Sequence, residues 1–208
     1  MAGNNKNTEE IILAAAKKVF MQKGKAGARM QKIAEEAGIN KSLLHYYFRS
    51  KDKLFETVFR DTFKDFMPKI AEFMSSDLPL FEKIKYFIES YIDMLNKNPY
   101  IFSFVLGELN TNPENLVEIM DRVTGIISED YLGKFVEQIM EGIKDEEIIQ
   151  LDARDLIINM IALSVFPFLA RPIILGVFFQ NDLDLYNKFL ERRKKEVPQF
   201  IINSIRKK

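Results

Sequence analysis

Lys41, Ser42, Leu43, His45 and Tyr46 lie within six residues, interleaved with and followed by Leu44, Tyr47 and Phe48. At helical spacing the first five share an outward side and the last three a buried one. The outward set suits the edges of base pairs in a major groove. Lys41 can meet a phosphate or a guanine edge, Ser42 a base or a phosphate, and Leu43 a thymine methyl. Arg29 and Lys51 stand at the expected starts of the flanking helices, where a phosphate is favoured.

Other chemistry is scarce. The chain has no cysteine, which removes disulfides, thiolate metal sites and cysteine nucleophiles. His45 is the only histidine, so neither a multi-histidine metal site nor a separate histidine base is available. No GxxxxGK[ST] or GxGxxG phosphate loop is present. Acidic pairs such as Glu146-Glu147 sit among polar neighbours. No catalytic residue, metal or cofactor is expected. An enzyme or ligand carrier with an incidental helix-turn-helix is the weaker alternative.

A helix, a tight turn and a second helix must hold the outward set. Met30 to Phe48 reads in that order. Ala34 is small enough for a close helix crossing, Gly38 can take the left-handed conformation that ends a helix, and Ile39 pins the turn. Asn40 is an N-cap for the second helix and Ser50 for a long helix after it.

Around this motif the sequence predicts helices throughout. The first starts after Thr8, with Glu9 and Glu10 at its N-terminus, and buries Ile12, Ala15, Ala16, Val19 and Phe20 before Gly24 and Gly27 end it. The helix from Ser50 carries Leu54, Phe55, Val58, Phe59, Phe63 and Phe66 and should kink at Pro68. Further helices are expected near 79–96, 99–110, 114–142, 152–169 and 184–206. No apolar–polar alternation is long enough for a strand. The expected fold is all-α: an N-terminal three-helix helix-turn-helix domain over residues 1–50, continuing into a helical C-terminal domain over 51–208.

Charge separates the two parts. Residues 1–60 hold 12 basic and 6 acidic residues, and the remainder 18 basic and 24 acidic, within a net charge of zero. A basic head on an acidic body suggests that the head meets the polyanion. Lys17-Lys18 and the run Arg192 to Lys195 read as solvated faces or extra DNA contacts, with the face favoured for the run. The longest uncharged stretch, Leu156 to Ala170, spans 15 residues, short of the roughly 20 a membrane span needs. A helix apolar all round needs cover on more than one side, and a second subunit would supply it. The N-terminal residues lack the apolar core of a secretory signal, and a cytoplasmic location is expected.

Ile33-Ala34-Glu35-Glu36-Ala37-Gly38, followed by Leu44-His45-Tyr46-Tyr47-Phe48-Arg49-Ser50-Lys51-Asp52-Lys53-Leu54, resembles the DNA-binding domain of the TetR (tetracycline repressor) family over about residues 8–60. The resemblance implies a ligand-responsive transcriptional regulator, a repressor, that binds a palindromic double-stranded operator as a homodimer and has no membrane segment. Its divergent C-terminal part would bind a small effector and form the dimer. The DNA-binding residues would be Arg29, Lys41, Ser42, Leu43, His45, Tyr46 and Lys51. Three positions depart from the family's usage, which favours Tyr at His45, Thr at Leu43 and Ser or Thr at Arg29. The composition adds 18 Phe and 9 Met, adaptable apolar side chains. An apolar effector is expected among Phe63, Phe66, Met67, Phe87, Tyr91, Phe102, Met120 and Met160.

Overall fold

A computed structural model describes residues 2–64, 66–98, 105–107, 109–110, 113–124 and 132–207, without the side chains of 2–6, 115, 119, 120, 123 and 124. Among these residues every regular element is a helix: α1 Ala2–Gly27, α2 Met30–Glu36, α3 Lys41–Tyr47, α4 Lys51–Phe63, α5 Met67–Ser75, α6 Leu80–Lys97, α7 Pro113–Thr124, α8 Gly133–Lys144, α9 Ala153–Leu169, α10 Arg171–Phe179 and α11 Leu183–Ile205. The only extended pairing among them is an isolated bridge between Ile148 and Arg206. The chain is all-α, as expected. It divides into two compact units, residues 1–65 with 100–128, and 66–99 with 129–208.

The first unit is built on an apolar core. Ile12, Ala16, Val19 and Phe20 of α1, Ile33 and Ala34 of α2, Leu44 of α3, and Leu54, Phe55, Val58 and Phe59 of α4 bury their side chains together. Each fully buried side chain of this size stabilises by about 1.5–3 kcal/mol. Phe20 and Phe55 meet edge to face at 5.3 Å. Leu116 of α7 is 1% exposed in the same core, and the Arg122 guanidinium reaches Glu56 of α4 at 3.4 Å. An N-terminal domain ending at residue 50 would leave out both α4 and Leu116, the side chains that close this core.

Local signals set the helix ends here. Gly38 adopts φ +66°, and the amides of Gly38 and Ile39 donate to the carbonyls of Glu35 and Ala34 at 3.1 and 3.0 Å. That pair of bonds is a Schellman motif, and it seals α2 before α3 begins. The Asn40 side chain accepts from the Leu43 amide at 2.8 Å, and the Ser50 hydroxyl from the Lys53 amide at 3.1 Å. The start of α1 differs from expectation: the helix begins at Ala2, so Thr8 lies inside it. No proline precedes Thr8 to stop the helix extending. Gly24, at φ +64°, breaks α1, and one further turn runs to Gly27.

The second unit contains α5, α6 and α8 to α11, with α6 packed against both α9 and α11. Pro68 does not kink a long helix. The helix from Lys51 ends at Phe63, and Pro68 stands in the first turn of α5, where its missing N–H costs nothing. The expected helix 114–142 is described as α7 and α8, with 125–131 outside the described residues. From the expected helix 99–110, residues 99–104 and 108 lie outside them as well. The helix α10 was not anticipated.

Proline inside α9 has a specific repair. Pro167 has no N–H for the carbonyl of Leu163, four residues back. The Arg193 guanidinium of α11 donates to that carbonyl at 2.6 Å, and the Tyr186 hydroxyl donates to Pro167 O at 2.9 Å. Arg193 is thus half-buried, and Lys194 is paired with Asp93 at 2.5 Å. The basic run is not simply a solvated face, since two of its four side chains hold α11 against α9 and α6. Lys83 is fully buried and donates to Met74 O at 2.6 Å, closing the last turn of α5. Burial pushes its pKa below the ordinary lysine value.

No single helix among the described residues is long and apolar enough to cross a membrane; α9 and α10 together are, but they are bent by 71°.

Candidate nucleic-acid interface

The side chains of α3 divide as the spacing predicts. Leu44 is fully buried and Phe48, just beyond the helix, is 5% exposed, while Tyr47 is half-buried. Lys41, Ser42, Leu43, His45 and Tyr46 are exposed, Leu43 at 36% and Tyr46 at 75%. Burying a large apolar side chain is the default, so an exposed Leu and Tyr side by side on a rigid helix form a contact surface in search of a partner. The Tyr46 ring packs edge-on against Tyr47 at 5.5 Å, which limits its rotamers. The same face thus offers an ammonium, a hydroxyl, an imidazole, a phenol and an isobutyl group.

Two further cations stand at the starts of the neighbouring helices. Arg29 is exposed at the N-cap of α2, in extended backbone. Lys51, the first residue of α4, is half-buried, and its Nζ donates to Ala28 O at 3.3 Å. That bond ties the start of α4 to the segment preceding α2, so Lys51 has a structural task in addition to any phosphate contact. Its ammonium keeps further donors for one. Lys25 of α1 bridges to Asp52 at 3.1 Å and lies 4.9 Å from the centre of the Phe55 ring. Lys18 pairs with Glu36, holding α1 to α2. Lys17 is half-buried, and its burial lowers its pKa against the attraction of Asp61. Of the Lys17-Lys18 pair, Lys18 therefore braces α1 against α2.

Sequence reading passed over a polar groove of about 440 Å³ beside Arg29, lined also by Lys23, Gly27, Gln31, Lys32 and Glu35. Three cations face one carboxylate there. Gln31 and then Lys32, both donating to Glu35 at 3.3 Å, hold that carboxyl below the usual range. A signal was present in the Lys and Arg spacing from residue 23 to 32, but only Arg29 among them stood at an expected helix start.

The residues expected around an effector are dispersed between the units. Phe63 packs on the core of the first unit, with its ring 4.8 Å from that of Phe59. Phe102 and the Met120 side chain lie outside the described residues. Met160 is 1% exposed in α9. In the second unit Phe66 and Phe87 gather on Tyr91, each ring at 5.5 Å, and half-buried Met67 follows Phe66.

Residues 12–58 match the family model described as bacterial regulatory proteins, tetR family. The HTH-type transcriptional regulator YhgD of Bacillus subtilis, itself uncharacterized, is 32% identical over 76 residues, which are 36% of this chain and 40% of that protein. The chain thus matches well under two thirds of this relative's length. Solved structures extend the likeness of fold to the whole chain. A Clostridium perfringens protein named as a fatty acid metabolism regulator superposes with a TM-score of 0.70 at 21% identity, covering 95% of this chain and all of that one. FadR of Bacillus subtilis, solved with stearoyl-CoA, gives 0.66 at 19% identity, covering 94% and 98%. Residues 12–58 are thus similar to the helix-turn-helix domain of the tetR family of bacterial regulatory proteins, and the whole chain shares its fold with solved regulators.

Proposed function

We propose that the chain is a repressor that binds a near-palindromic operator as a homodimer and leaves it when a largely apolar small molecule binds. One observation carries the DNA-binding part of this reading: the exposed set Lys41, Ser42, Leu43, His45 and Tyr46 on a helix anchored by Leu44 and Phe48. Lys41, Ser42, Leu43, His45 and Tyr46 read the major groove, and Arg29 and Lys51 hold the phosphates on either side. With DNA as its partner, the protein would act in the cytoplasm.

Dimerisation draws support from the second unit. Ile158 and Phe166 of α9, Ile173, Val177 and Phe178 of α10, and Leu185 and Phe200 of α11 are between 48% and 72% exposed. Large apolar side chains left exposed on three successive helices suit a surface that a partner covers. An obligate interface buries roughly 2,000 Å² or more. Phe189, by contrast, packs against Phe179 at 5.1 Å and under Arg193, so it serves this subunit's own core.

The effector reading rests on the aromatic and thioether side chains of Phe66, Met67, Phe87 and Tyr91 in the second unit. The stearoyl chain bound by FadR, a neighbour in fold, favours the same class of ligand. To weaken DNA binding a hundredfold, the effector must prefer the released state by about 2.7 kcal/mol. The decisive experiment is selection of bound duplexes from a random library, then a gel shift with the selected site with and without lipophilic compounds. A palindromic site released by such compounds is the expected result. No selected site would end the regulator reading, and release only by charged or sugar-like compounds would end the apolar one.

A further inference from the structure

The groove of about 440 Å³ between the end of α1 and α2 holds more positive charge than its own residues balance. Among the described residues Glu35 is its one carboxylate, and it accepts from Gln31 and Lys32, both at 3.3 Å. Lys23, Arg29 and Lys32 against Glu35 leave two positive charges over. Lys23 and Arg29 are exposed and make no ion pair among the described residues. The groove is also braced from behind. Gly24, at φ +64°, turns the chain between Lys23 and the last turn of α1. In that turn Lys25 bridges to Asp52 at 3.1 Å, and the Ala28 carbonyl just after it accepts from Lys51 at 3.3 Å. Both anchors belong to the first turn of α4. Gly27 keeps the space open: a Cβ there would already stand 3.5 Å from Lys23 Cβ, so a longer side chain would fill the groove.

We propose that this groove seats a backbone phosphate of the operator between Lys23 and Arg29, away from the base pairs that α3 reads, and that Glu35 limits its strength. This rests on the reading of the exposed α3 face as DNA-binding and carries the contact surface on to α1. The chemistry suits a phosphate. A guanidinium forks onto two of its oxygens, and an ammonium adds a point charge beside it. Place favours DNA as the source. In a helix-turn-helix the first helix crosses the sugar–phosphate backbone while the second enters the major groove. Here α2 is that first helix, packed against both α1 and α3, so its groove with α1 lies on the side away from the base edges. The described lining offers no ring or large apolar side chain on which the base of a free nucleotide could stack. Such a contact carries no sequence information and serves to fix the register of α3. Glu35 opposes it twice, as a like charge and by occupying Lys32. An exposed pair of this kind is weak, so removing the carboxylate frees Lys32 for the phosphate.

The test uses the full-length protein and a duplex selected from a random library, with affinity read by fluorescence anisotropy over a range of salt concentrations. Lys23→Gln is expected to make the slope of log affinity against log salt shallower by about one unit and to weaken all sequences alike. Gly27→Gln changes no charge but fills the groove, and is expected to cause a similar loss. Glu35→Gln is expected to steepen the slope by about one unit and to tighten binding, a gain that a misfolded variant cannot produce. Circular dichroism melting verifies that all three variants fold. A slope unchanged in all three would overturn the groove's role and leave the α3 reading standing. If, with that unchanged slope, inorganic pyrophosphate bound the natural protein but not Lys23→Gln in calorimetry without DNA, the groove would serve a free phosphate compound instead. A natural protein that binds no duplex would overturn the DNA reading and the groove together.

Discussion

At Lys51 one side chain combines two kinds of contact. Its Nζ bond to Ala28 O joins α4 to the segment before α2, while its place in the first turn of α4 suits a phosphate. Lys51→Ala should therefore lower the slope of log affinity against log salt by about one unit and also lower the melting temperature. Lys41→Ala, on exposed α3, should change the slope alone. An unaltered slope in the Lys51 variant would remove it from the contact set. Leu43 and Tyr46 should behave differently again: their replacement by Ala should alter which sequences a random library yields, and a uniform loss across sequences would contradict base reading. The division of α3 into two faces was legible in the sequence because helical spacing alone determines it. The partners of Lys51, Lys18 and Arg193 were not legible, since a long cationic side chain can reach several neighbours and the pattern does not say which.

Helix ends followed local chemistry wherever a short-range signal existed. Asn40, Gly38 and Ser50 each act within a few residues, and each was found where expected. Pro68 shows the limit of such signals, because a proline is as compatible with the first turn of a new helix as with a kink. The unanticipated α10 has the same origin: between two prolines and Gln180, its apolar run gave no period. Prolines inside a helix, however, have consequences that can be measured. Arg193→Met should cost about 1 kcal/mol by leaving the Leu163 carbonyl without its donor. Restoring a backbone N–H with Pro167→Ala should make the same Arg193→Met change cheaper, a non-additivity readable from urea melts of the four proteins. Simple additivity would show that Arg193 matters for other contacts. Asp152 caps α9 by accepting from the Arg154 amide at 2.8 Å, and its contacts with Arg154 hold its pKa at about 2. A folded-state pKa below the unfolded one contributes stability above the unfolded value and loses it as pH falls through the folded one. Melting temperature should therefore drop between about pH 4 and pH 2, and the drop should be smaller in Asp152→Asn.

For the whole molecule, the fold class was readable because every segment favours helix and none alternates like a strand. The operator, the effector and the assembly depend on surfaces rather than on period, and the sequence could only nominate residues for them. Phe178→Glu, at a position 72% exposed, should yield monomers in sedimentation at micromolar concentration with little change in melting temperature. Phe189→Glu should instead lower the melting temperature, because its ring packs on Phe179 and Tyr186 within the subunit. A natural protein that sediments as a monomer would refute the dimer. The contribution of α7 to the first unit has one more consequence, for recombination. Leu116 closes a core whose other fully buried members lie more than fifty positions earlier, so the reading head is not one continuous piece of gene. A crossover at residue 50 or 65 that grafts this head onto an unrelated body severs it from its own α7. The hybrid inherits the recognition face yet lacks the plug beneath it, and should express in inclusion bodies. A hybrid that also carries residues 100–128 should recover solubility.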